Sequence, residues 1–214
     1  GNAIVHMQSW TADGTNIFVT RIATDAGSPD VPLQLTLTVP APDSVKNTIL
    51  PSAAGHQSGM LWISRENDLT SATEYKSRAA IAVRLVGSKF SGTSSASQNV
   101  AGSFTLKAGS PVWIIAAFKS DSRIGLNGPS SAALVQSAIS QARAQTTATV
   151  ARMEQEHRAC WKQFWLKSFV QVHDKVLEDY YYGAQYVMGS SSRPGHLPPS
   201  LWSNFLTTDD ADWG

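Results

Sequence analysis

Residues 33–39, LQLTLTV, alternate apolar and polar side chains without a break. The alternation puts Leu33, Leu35, Leu37 and Val39 on one face and Gln34, Thr36 and Thr38 on the other. Successive side chains of an extended chain point to opposite faces, so a period of two describes a half-buried antiparallel strand. Upstream, AIVHMQSW (3–10) and NIFVTRIA (16–23) flank TADGTN (11–16), where Asp13-Gly14 tolerates the positive φ of a tight hairpin turn. Downstream, strands are predicted at GMLWISRE (59–66), SRAAIAVRLV (77–86), GSFTLKAG (102–109) and PVWIIAAFKS (111–120). In SRAAIAVRLV the residues Ala79, Ile81, Val83 and Leu85 share a face. At least seven strands with turn-rich connections predict an antiparallel β-sandwich or a piece of one.

The connection GSKFSGTSSASQNV (87–100) is small and polar and reads as a mobile surface loop. Within it, GTSSA (92–96) approaches the nucleophile-elbow pattern. The second glycine is missing and no strand–turn–helix setting surrounds it, so it is set aside.

After SDSRIGLNGPSS (120–131) the period changes. From Ser130 to Lys167 there is no Gly or Pro, and Ala, Gln and Arg abound, which is helical composition. The alanine-rich SAALVQSAISQARAQTTATVA (131–151) reads as a separate helix leading in from the sheet. Val150, Met153, His157, Trp161, Phe164 and Ser168 then recur at three- and four-residue steps, giving one aromatic face. A further helix is predicted from an N-cap at Asp174, with an apolar stripe of Leu177, Tyr180, Tyr181, Ala184, Val187 and Met188. Gly189 and the serines after it are expected to end it, and Pro194-Gly195 prevents its resumption. The predicted class is α+β, with a sandwich over 1–125 and a helical segment over 126–214. Helices with so broad an apolar stripe expose more than they can cover alone. They are expected to pack on the sandwich, on further helices, or on a second copy, making a homo-oligomer through the helical half.

Composition excludes several classes. Hydrophobic residues make up 42% and charged residues 15% of the 214, as in a globular protein with a lightly charged surface. The net charge of +1, without a run of like charges, argues against nucleic acid and against anionic membranes as partners. The apolar runs are too short to span a bilayer. Cys160 is the single cysteine and reads as a small buried hydrophobe beside Trp161. The first methionine is Met7 and no signal-peptide pattern precedes it, which implies a processed or excised N-terminus. His6, His56, His157, His173 and His196 have no ligand-set spacing, so no metal is expected. No phosphate loop or dinucleotide fingerprint occurs, so no cofactor is expected.

The remaining chemical signal is a carboxylate cluster between two tryptophans. Asp209, Asp210 and Asp212 lie between Trp202 and Trp213. Indole faces stack on the apolar side of a sugar ring while carboxylates accept hydrogen bonds from its hydroxyls, so the combination suits carbohydrate. On residue types alone TTDDAD (207–212) equally suits a helix start or a solvated turn.

A longer pattern bears on that choice. The ordered series is His157, Trp161, Phe164, Trp165 and Ser168, LEDYYYGAQY (177–186), Ser192-Arg193 with Gly195, then LPPSLW (197–202) before Trp213. It resembles the entry to the catalytic domain of the (α/α)6-barrel glycoside hydrolases, in particular family 95 and more distantly family 65. RAAIAVRLVGSKF (78–90) and GSFTLKAGSPVWIIAAFKSD (102–121) look like the closing strands of that family's sandwich. The resemblance covers residues 60–214 and implies a sandwich leading through linker helices into the beginning of an (α/α)6 barrel. It implies a secreted or periplasmic setting and carbohydrate as partner. Where the family has Gly after the Leu-Trp or Leu-Gln pair, this chain has Ser203-Asn204.

Members of the family invert, using one carboxylic acid and one base on opposite sides of the sugar. The resemblance puts those groups on segments beyond Gly214, so no residue here is assigned as catalytic, and the last residues are expected to form the threshold of a site. Trp202, Asp209, Asp212 and Trp213 are carried over as parts of a sugar-binding rim. Arg193 and Trp165 read as structural. The competing expectations are a non-catalytic module, binding sugar on Trp10, Trp62 or Trp113, and an assembly that hides the aromatic helices between copies.

Overall fold

The computed structural model describes residues 3–39, 52–66, 78–121 and 128–192. Among the described residues the fold is α+β, with nine antiparallel strands in two sheets followed by three helices. In chain order these are β1 (Val5–Thr11), β2 (Ile17–Thr24), β3 (Val31–Thr38), β4 (Ala53–Gln57) and β5 (Met60–Glu66). They continue as β6 (Arg78–Val86), β7 (Gly92–Ser95), β8 (Asn99–Leu106), β9 (Val112–Asp121), α1 (Ser131–Arg143), α2 (Thr147–Trp165) and α3 (Lys175–Ser191). The larger sheet has the order β1-β2-β9-β6-β5-β4 and the smaller one β3-β8-β7. The hairpin read around Asp13-Gly14 is present, pairing Val5 with Thr24 and Thr11 with Phe18, and Gly14 takes φ 65° in its turn.

The two faces of the larger sheet bury different partners. On one, Ile22, Leu85, Val112 and Ile114 meet Val31, Leu33, Leu35, Phe104 and Leu106 of the smaller sheet. Phe90 completes this layer by lying on Gly102, where a Cβ would stand 2.5 Å from its ring. The alternation of β3 thus does what its sequence requires. On the opposite face, Ile17, Val19, Ala80, Ala82, Ile115 and Ala117 pack against α1 through Leu134, Val135, Ala138, Ile139 and Ala142. Val150 and Met153 at the start of α2 join the same core. The sandwich therefore carries a helical third layer.

Several expectations are corrected. The polar segment 87–100 is not simply a loop, because it contains β7 and the first residues of β8. All four residues of β7 are exposed, so backbone pairing with β8 forms it and no apolar alternation marks it. β4, Ala53–Gln57, was not read as a strand either; its Gly55 gives Trp62 room, since a Cβ there would be 2.7 Å from the indole. The helical stretch breaks at 144–146, and α2 opens on Thr146 and Thr149, whose hydroxyls each accept from the other's backbone N–H. Ser168 lies beyond the end of α2.

The chain divides into two compact units. The described residues of the first are 3–39, 52–66, 78–121 and 128–157, and those of the second are 158–192. The division falls inside α2, after His157, because α1 and the first turns of α2 belong to the core of the larger sheet. His157 closes the first unit: its Nδ1–H donates to the carbonyl of Thr11, 2.9 Å away.

Candidate functional site

The second unit is organised by aromatic rings. Trp161 stacks on Trp165, centroids 5.7 Å apart, and on Tyr186 at 5.2 Å, while Phe164 meets the edges of both tryptophans. Tyr182 approaches Trp165 edge-on, and its hydroxyl donates to Val170 O (2.8 Å) while accepting from Val170 N–H (3.3 Å). Ser168 and Tyr181 share a hydroxyl–hydroxyl hydrogen bond. Asp174 caps α3 as read from the sequence, accepting from the N–H groups of Val176 and Leu177.

Of the predicted stripe of α3 only Tyr181 is packed: Glu178, Tyr181, Tyr182, Gln185, Gly189 and Ser191 are the half-buried or buried positions, whereas Leu177, Tyr180, Ala184, Val187 and Met188 are exposed. The ring contacts to α2 come from Tyr182 on Trp165 and Tyr186 on Trp161, although Tyr186 remains 55% exposed. Gly189 does not end the helix. It sits within α3, where a Cβ would come 2.8 Å from the Phe164 ring, and so lets that ring lie against the helix backbone.

The first unit holds a half-buried ionic cluster that no sequence signal marks. The Arg78 Nε–H donates to Glu66 Oε2 at 3.0 Å, and its Nη1 donates to the Pro129 carbonyl at 3.1 Å and lies 3.9 Å from Asp121 Oδ2. Ser131 Oγ donates to the same Glu66 oxygen at 2.7 Å. Antiparallel register makes the cluster, since Arg78 stands opposite both Glu66 and Asp121. Three charged residues at three strand ends look like solvated termini until that register is known. Chemically this is a tie, not a reaction centre: Glu66 accepts from a guanidinium and a hydroxyl, and the strand ends are joined to the start of α1.

Trp202, Asp209, Asp212 and Trp213 of the expected rim, with Asp210 and Arg193, lie outside the described residues. Of the alternative stacking residues, Trp10 is 6% exposed, and Trp62 and Trp113 are half-buried, packed against the core that α1 shares. Among the described residues no group of three or more His, Cys, Asp or Glu is arranged to hold a metal ion. Among them, too, no helix is long and apolar enough to cross a membrane. Cys160 is half-buried on α2.

No protein-family model matches this chain, and no curated protein sequence matches it.

Proposed function

We propose that this chain works in a carbohydrate-active protein of the glycoside hydrolase type, resembling family 95. Its sandwich and helices act as the support, and Trp202, Asp209, Asp212 and Trp213 form part of the sugar-binding rim. The observation that supports this best is the order of parts. An antiparallel two-sheet layer leads through α1 and α2 into a helical unit, and that unit carries Trp161, Phe164, Trp165 and the tyrosine-rich α3 of the resembling series. On this reading the helical unit is the beginning of an (α/α)6 barrel, and the exposed Leu177, Tyr180, Val187 and Met188 are the face that further barrel helices would cover. No acid or base is assigned among these residues.

Calorimetric titration with a panel of α- and β-linked oligosaccharides tests it, with aryl glycosides as reporters of turnover. The expected result is saturable binding of one sugar class, weakened at least tenfold, roughly 1.4 kcal/mol, by Trp202→Ala or Trp213→Ala. Binding that none of Trp202→Ala, Asp209→Ala, Asp212→Ala and Trp213→Ala changes would overturn the rim. Turnover lost in Asp209→Ala or Asp212→Ala would instead make the chain a glycosidase in its own right.

The exposed face of α3 also favours a second reading, a non-catalytic scaffold module that pairs with another copy through its helical half. Tyr180→Glu separates the two: it abolishes self-association on this second reading and leaves sugar binding intact on the first.

A further inference from the structure

We draw no further inference here: the strongest candidate, the exposed apolar stripe of α3 formed by Leu177, Tyr180, Ala184, Val187 and Met188, is an unpartnered helix face, and nothing in the structure shows what covers it.

Discussion

Helices α1 and α3 are both rich in apolar side chains and meet opposite surroundings. Five residues of α1 are buried on the larger sheet: Leu134, Val135, Ala138, Ile139 and Ala142. In α3 only Gly189 is buried, and its aliphatic stripe is exposed. Both begin on a capping side chain, Ser130 for α1 and Asp174 for α3. The difference teaches where helical stability comes from. Burying a large aliphatic side chain contributes roughly 1.5–3 kcal/mol, more than a cap or a surface pair supplies. α1 is held by its long-range contacts with a sheet. α3 rests on rings from the neighbouring helix, its cap and its own backbone ladder.

The contrast breaks first at the ionic tie. Arg78 is 11% exposed and Asp121 6%. Removing the guanidinium takes its positive charge and its hydrogen bonds away from two poorly exposed carboxylates, so Arg78→Met is expected to cost about 3–5 kcal/mol in chemical denaturation. The start of α1 should then lose hydrogen-exchange protection before the strands do. A loss below roughly 1 kcal/mol would mean that apolar packing alone seats α1.

Next comes a matched pair of truncations. Ile139→Ala, in the core under α1, is expected to cost about 2–5 kcal/mol, whereas Leu177→Ala on the exposed stripe of α3 should stay within about 0.5 kcal/mol. Thermal unfolding of both variants checks this. A large cost at Leu177 would show that something covers the α3 stripe in solution.

The cap of α3 ranks third. Asp174→Ala removes the acceptor for two backbone N–H groups and is expected to cost about 1 kcal/mol, a larger share of the stability of a helix with so little burial. Asp174→Asn, which keeps an acceptor oxygen, should restore most of it. If Asn fails where Asp works, charge at the helix start, not hydrogen bonding, is what matters.

What the sequence made legible follows the same division. Local signals were readable: the alternation of β3, the Asp13-Gly14 turn, the lack of Gly and Pro through α1 and α2, and Asp174 as a cap. β7 left no trace because its four small residues are all exposed, and β4, AAGHQ, because it has no large apolar side chain to alternate. The Arg78 tie stayed hidden because it depends on register between three strands, which no single strand encodes. Of the predicted α3 stripe only Tyr181 is packed, because counting apolar side chains favours Leu177 and Val187, while contact with the Trp165 ring favours Tyr182. Of the candidate site, the sequence supplied Trp202, Asp209, Asp212 and Trp213 as a pattern, and those residues lie outside the described structure.

The smallest expected effect is electrostatic and carries a definite sign. In the first turn of α3, Lys175 donates to the Asp179 carboxylate one turn on. That hydrogen bond, with the added pull of the Asp179 and Glu178 charges, holds the Lys175 ammonium above its ordinary pKa of 10.5. A raised folded-state pKa means the folded chain holds the proton more tightly than the unfolded chain. Its contribution is fully present below the ordinary value and is lost as pH rises through the folded one. The pair is exposed and spans adjacent turns, so the gain is small and screened by salt. The difference in melting temperature between wild type and Lys175→Gln should therefore be flat up to about pH 9, shrink above pH 10.5, and be smaller at high salt. A difference that grows with pH would reverse the sign and show that Lys175 opposes the helix, as a cation at a helix start otherwise does.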